Sequence, residues 1–309
     1  MSKTKVAITG ATGMLGAITL DSFVDSGEFE LIATVRDQTK LDKMKAVYPN
    51  VEFRLLDAQV ATKDDIMDAI NDAAWVVNAI GIIKPYIHED NPDETERAIR
   101  VNALFPELLA QAAGAINAKV IQIATDCVYS GEKGSYTESD LQDALDVYGK
   151  TKSLGETYKK NVFHLRCSII GPELENHLSL MDWFLGQPEG AELNGFTNHQ
   201  WNGVTTLQYA KICQGIISNN IVLPHVQHVV PDNLITKADL LRAFAKEYKR
   251  DDITINDVEA PKVIDRTLST SNENLNSEIW NAAGYDNTPA IEDMIHETAI
   301  YNWPSKVNL

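Results

Sequence analysis

A phenol and an ammonium stand four residues apart in the segment Tyr148-Gly-Lys-Thr-Lys152. On a helix that spacing sends both side chains from one face. A free phenol titrates near about 10 and a nearby cation favours its anion, so Lys152 is expected to bring Tyr148 toward proton transfer near neutral pH. A hydroxyl, Thr125, precedes the phenol by 23 residues and ends the apolar run Lys119-Val-Ile-Gln-Ile-Ala124. The three groups amount to acid–base machinery if separate elements bring them together. Tyr-x-x-x-Lys also arises on solvated helix faces, so the reading depends on the scaffold.

That scaffold opens with Lys5-Val-Ala-Ile-Thr9, a short β-branched run, followed by Gly10-Ala-Thr-Gly13-Met-Leu-Gly16 and a helical pattern to about Ser26. Strand, tight turn and helix follow in order. Such glycines let the backbone approach a pyrophosphate held at the positive end of the helix, which makes Gly10, Thr12, Gly13, Met14, Leu15 and Gly16 candidate dinucleotide ligands. Their G-x-x-G-x-x-G spacing differs from the standard G-x-G-x-x-G, and a glycine turn that binds nothing is the alternative. A second run, Glu30-Leu-Ile-Ala-Thr-Val35, ends in Arg36, where the adenosine ribose would be read. An acid there accepts from the 2′-hydroxyl of NAD. Arg36 suits the 2′-phosphate of NADP, although Asp37 follows immediately.

Composition narrows the partners. The chain has 309 residues and a formal charge of −17, which argues against nucleic acid or anionic membrane as partners. Cys127, Cys167 and Cys213 form an odd set without C-x-x-C spacing, so neither a disulfide framework nor a zinc ribbon is expected. No apolar stretch approaches the length of a membrane span and no signal-peptide core precedes Gly10, which makes the cytoplasm the expected compartment.

Strands and helices then alternate, the pattern of a parallel sheet covered on both faces. Val51–Leu55 leads to Asp57 and Ala58, where the Asp57 carboxylate would meet adenine or cap the next helix. Trp75–Ile80 places Asn78, Ala79 and Ile80 beside the cofactor, with Asn78 at its ribose. The irregular stretch from Ile82 to Pro92 carries Lys84 and reads as a substrate loop or a solvated one. A helix is expected from about Asp93 to Ala115, kinked by Pro106. Another is expected from Val147 to Lys160, and a strand from Val162 to Ile169. Gly186 to Asn202 reads as a loop carrying Trp201, and His225 and His228 would leave opposite faces of a strand, which disfavours a metal site. The fold class is α/β: a Rossmann-type doubly wound parallel sheet with a smaller C-terminal α/β substrate-binding region. Residues 1–170 would form the dinucleotide domain, with 203–230 returning to it. Residues 171–202 and 231–309 would bind substrate.

The ordered segments Thr9–Gly16, Ala124-Thr-Asp-Cys-Val-Tyr-Ser-Gly131, Tyr148–Lys152 and Leu165-Arg-Cys-Ser-Ile-Ile-Gly-Pro172 resemble the extended short-chain dehydrogenases/reductases. Within them the chain is most similar to the dTDP-4-dehydrorhamnose reductase group, over residues 1 to about 172 and more loosely through Asn202–Thr206 and Arg266–Ser269. The resemblance implies NADPH-dependent reduction of the 4-keto group of a nucleotide-linked 6-deoxy sugar in polysaccharide biosynthesis. Tyr148 would be the general acid, Thr125 a donor to the same oxygen, Lys152 a ligand of the nicotinamide ribose and Asn102 part of a proton relay. Lys84, Asp126, Cys127, Trp201 and Arg266 are the expected substrate contacts, and a homodimer is an expected assembly. Cys127 stands where those reductases commonly carry tyrosine, which puts one sugar contact in doubt. NAD in place of NADP, a nucleotide-sugar epimerase, and a non-catalytic dinucleotide-binding regulatory subunit are the alternatives.

Overall fold

The computed structural model describes residues 3–301. In chain order the strands are β1 (Thr4–Thr9), β2 (Phe29–Val35), β3 (Glu52–Leu55), β4 (Trp75–Asn78), β5 (Lys119–Thr125), β6 (Val162–Cys167), β7 (Ile169–Ile170), β8 (Glu192–Phe196), β9 (Gln200–Trp201), β10 (Val204–Thr205), β11 (Val226–His228), β12 (Ile235–Thr236) and β13 (Thr254–Val258). The helices are α1 (Met14–Ser26), α2 (Gln38–Val47), α3 (Lys63–Ala69), α4 (Pro92–Ile99), α5 (Phe105–Ala115), α6 (Val147–Leu154), α7 (Leu180–Leu185), α8 (Thr206–Asn219), α9 (Lys237–Glu247), α10 (Glu273–Ala282) and α11 (Ile291–Ile300).

Seven strands pair in the order β11-β6-β5-β4-β1-β2-β3, every pair parallel. This is the α/β Rossmann-type sheet expected from the alternating pattern. Strand order reverses between β1 and β4, so a crevice opens at their carboxyl ends, where sheets of this kind bind ligands. Apolar side chains fill both faces: Val6, Ile8, Val77 and Ile121 on one, Ala7, Val76 and Val120 on the other. Burial on both faces explains why β1 and β4 read as nearly unbroken apolar runs.

Two glycines are sterically required at the first turn. Gly10 has φ +75° and a Cβ there would stand 2.7 Å from Ile80 Cγ1, while a Cβ on Gly16 would come within 2.1 Å of the Gly10 carbonyl oxygen. Helix α1 can therefore press against the turn.

The long helix read from Asp93 to Ala115 is divided. A π-helical turn, Arg100–Leu104, joins α4 to α5. Pro106 has no N–H to offer the Asn102 carbonyl, and the Phe105 amide bonds to the Arg100 carbonyl instead. Gly155 packs there, since a Cβ on it would lie 2.0 Å from the Asn102 oxygen. Gly155 also ends α6 at Leu154, six residues before the expected end at Lys160.

Residues 186–202 are not an irregular overhang. They contain β8, which pairs in parallel with β13, and β9, which pairs antiparallel with β12. The expected strand from Val162 to Ile169 breaks at Ser168, whose carbonyl accepts from the Val204 amide as β7 turns to pair with β10.

His164, fully buried on β6, bonds through Nε2 to the Thr157 carbonyl, while its Nδ1 has no partner. Burial pushes its pKa down from 6.5 to about 4. Its unfolded form binds the proton first as pH falls, so stability is complete above pH 6.5 and declines between 6.5 and about 4. Urea unfolding across that window is expected to show a loss of up to about 3 kcal/mol that His164→Gln largely removes. A variant with an equally steep acid profile would assign the loss elsewhere.

Candidate active site

A groove of about 340 Å³ runs along the carboxyl ends of β1 to β4. Gly10, Thr12, Gly13, Met14, Arg36, Asp57, Ala58, Ala79 and Ile80 line it, as does Gly81. Gly13 caps α1 without a side-chain hydrogen bond, so the first-turn amides of α1 have no cap of their own. Leu15 and Gly16 instead pack behind the turn, both buried. Arg36 is exposed, and the neighbouring Asp37 carboxylate accepts the Lys40 amide at 2.9 Å as the cap of α2. Asp57 accepts the Gln59 amide at 3.0 Å, and the cap of α3 is Thr62, not Asp57.

Asn78 does not reach the groove. It is fully buried, its Oδ1 accepting from Thr9 at 2.6 Å and its Nδ2 donating to Gln122 at 2.6 Å. Thr9, Asn78 and Gln122 are in-register partners on β1, β4 and β5, so the amide bridges three strands. Its place is structural, and the backbone beyond it forms the groove wall.

The catalytic candidates gather around the end of β5. Thr125 is buried there, with its Oγ1 accepting the Cys127 amide at 3.2 Å and donating to Asp126 at 3.2 Å. Tyr148, in the first turn of α6, is half-buried and stands beside Thr125. Burial pushes the phenol well above its usual value, against the lowering influence of Thr125. The expected drop toward neutrality is therefore reversed, because desolvation of the phenolate is the largest influence on the group. The phenol keeps its proton at neutral pH.

Lys152, one turn further on, donates to the Ile123 carbonyl at 3.0 Å. Burial lowers its pKa to about 8. A Cβ built on Gly81 would lie 3.9 Å from Lys152 Nζ, which puts the amine at the end of the groove. Asn102 clamps the same wall: Oδ1 accepts the Ile82 amide at 2.8 Å and Nδ2 donates to the Ile82 carbonyl at 2.9 Å. Its side chain thus holds the loop after β4. Asp146 caps α6 through the Gly149 amide at 2.8 Å and pairs with Lys84 at 2.9 Å. Lys84 is tied to the start of the Tyr148 helix. Gly149 has no room for a side chain, since a Cβ would stand 2.4 Å from the Cys127 carbonyl oxygen.

Beyond Thr125 lies a charged cluster. Asp126 is buried and its pKa is raised by that burial, while Arg266 and Lys237 pull it the other way. Burial pushes the Cys127 thiol up to about 12, so it stays neutral beside Tyr148. Arg266 donates from Nε to the Tyr129 carbonyl at 2.8 Å. Trp201 is 4% exposed and its indole N–H donates to Ser168 at 2.8 Å, so its ring is mostly covered. Lys237 Nζ lies 5.4 Å from the Trp201 ring centre. Lys237 is the first residue of α9, and the fold places it beside Asp126.

A family model described as RmlD substrate binding domain matches residues 4–300. The chain belongs to that family. Among curated RmlD-like relatives, dTDP-4-dehydrorhamnose reductase of Aggregatibacter actinomycetemcomitans is 31% identical over 154 residues, 49% of this chain and 45% of the relative. Methionine adenosyltransferase 2 subunit beta of Rattus norvegicus is also 31% identical over 154 residues, 49% of this chain and 41% of that protein. The chain thus spans less than half the length of these relatives. The RmlD-type fold is shared with dTDP-4-dehydrorhamnose reductase from Bacillus anthracis str. Ames in complex with NADP, at TM-score 0.74 and 17% identity, over 97% of this chain and 99% of that one. Among the described residues no helix is long and apolar enough to cross a membrane.

Proposed function

We propose that the protein is an NADPH-dependent reductase of the 4-keto group of a nucleotide-linked 6-deoxy sugar. The observation that carries this reading is the placement of the Tyr148 phenol beside Thr125, at the same sheet edge as a groove displaying Arg36. The residues fit a phosphorylated dinucleotide. Uncapped amides of α1 face a pyrophosphate, the Gly10–Gly16 contact leaves no side chain in its way, and Arg36 offers a bidentate cation to a 2′-phosphate. A reduced nicotinamide bound there would supply hydride.

Negative charge then develops on the carbonyl oxygen, and this chain meets it with donors already in place. Tyr148 Oη gives its proton to that oxygen, and Thr125 Oγ1 turns its hydrogen from Asp126 toward it. The Cys127 amide holds the Thr125 oxygen from behind. Lys152 keeps a positive charge at the groove's end. Asp126, Lys237 and Arg266 form a polar wall for the sugar and its phosphates.

The equal identity to a subunit of methionine adenosyltransferase favours one second reading, dinucleotide binding in the service of another enzyme. NADPH oxidation with a panel of dTDP-, UDP- and GDP-linked 4-keto sugars separates the two. Turnover of at least one sugar is expected. NADPH binding without turnover of any of them would favour the second reading.

A further inference from the structure

The segment after β7 helps to enclose the dinucleotide groove: Glu173, Leu174, Glu175 and Asn176 line it together with Arg36 and Lys40. Two contacts tie this segment to groove residues from other elements. Lys40 Nζ, from the first turn of α2, meets Glu175 Oε2 at 2.6 Å. The Tyr86 phenol, from the loop after β4, stands beside the Asn176 side chain in the groove lining. The Lys40 side chain is largely shielded from bulk water and Glu175 is partly exposed, at 16% and 38%.

The neighbourhood of this ion pair makes it more than a surface contact. Arg36 lies in the connection between β2 and α2, Lys40 lies in the first turn of α2, and both line the same groove. Asp37, the carboxylate between them in sequence, is turned into the cap of α2. Glu175 is then the acidic group bound to Lys40. A phosphate dianion carries more charge than a carboxylate and accepts from several donors at once, so it competes with Glu175 for Lys40. A ribose hydroxyl has no such claim.

We propose that Lys40 is the second cation for the 2′-phosphate of the dinucleotide, and that Glu175 is a built-in competitor which that phosphate displaces. Recognition of the phosphate thereby unlatches the 173–177 segment at its Lys40 end, whereas a dinucleotide lacking it leaves the latch closed. The assignment rests on the NADP reading above and adds to it a named specificity residue and its antagonist.

Adenosine 2′,5′-bisphosphate and adenosine 5′-monophosphate differ only in the group at issue, and neither requires turnover. Isothermal titration of the full chain is expected to show that Lys40→Met weakens the bisphosphate about tenfold and leaves the monophosphate nearly unchanged, the loss of one charge-assisted contact. Glu175→Gln is expected to tighten the bisphosphate about threefold, again with the monophosphate nearly unchanged. Hydrogen exchange of the amides at 173–178 should rise with the bisphosphate and not with the monophosphate. Thermal melts of both variants establish that they fold. Bisphosphate preference abolished by Arg36→Met but intact in Lys40→Met would overturn the Lys40 assignment and leave the NADP reading standing. A wild-type protein without any bisphosphate preference would overturn both. Glu175→Gln indistinguishable from wild type would remove the competitor.

Discussion

Tyr148→Phe is expected to lower kcat for the proposed keto-sugar reduction by about 10²–10³, the usual cost of removing one donor aimed at a developing oxyanion. NADPH affinity should change little, because the ring survives and the groove is lined by other residues. The magnitude follows from geometry: the phenol is held against Thr125 and burial keeps it protonated. A phenylalanine leaves the carbonyl oxygen with the Thr125 hydroxyl alone. The pH profile of the wild type gives a second check. Tyr148 stays protonated through the neutral and mildly alkaline range, since its pKa is raised. Lys152, lowered to about 8, loses its charge first. Activity is therefore expected to fall above pH about 8 through Lys152, not through the phenol. Stopped-flow NADPH oxidation measures both, and unchanged turnover in Tyr148→Phe would take the phenol out of the proton path.

Much of this site was legible in the sequence because its signals are local. A β-branched run, glycines at fixed offsets and an arginine ending the next strand each report a strand-turn-helix unit, and those units form the sheet edge. What was not legible depends on long-range register and burial. Asn78 stands at the right position in the chain for a ribose ligand. Only the pairing of β4 with β1 and β5 shows its amide held between Thr9 and Gln122. The Tyr148–Lys152 spacing revealed a cation but not the desolvation that governs both groups. Residues 186–202 lacked strand patterning because β8 and β9 are short and pair with segments far along the chain. Lys40 and Glu175, 135 residues apart, carry no sequence signal of their contact.

Behind α6 lies the interaction whose loss should destabilise the protein most. Arg166 on β6 is 1% exposed, and its guanidinium grips Glu156 from Nε at 3.1 Å and from Nη2 at 2.5 Å. Nη1 reaches the Tyr129 hydroxyl at 2.7 Å and His228 Nε2 at 2.8 Å. Arg166 cannot accept, so His228 must be neutral, with its Nδ1–H donated to the Ser269 carbonyl at 2.7 Å. Burial first, and then Arg166, depress the His228 pKa in accord with that tautomer. Glu156 follows α6 directly and also accepts from Gln142 at 2.7 Å, so the network anchors the end of the helix that carries Tyr148 and Lys152. Arg166→Met would leave a carboxylate buried without its cation and is expected to destabilise the fold by about 3–5 kcal/mol. Glu156→Gln keeps the shape and one acceptor, so its cost should be smaller. The paired variant Arg166→Met/Glu156→Leu should recover much of the loss, because most of it is the penalty of one unpaired buried charge. Urea denaturation of the three variants tests this. A double variant no more stable than Arg166→Met would mean that the contacts to Tyr129 and His228, not the ion pair, hold this part of the fold.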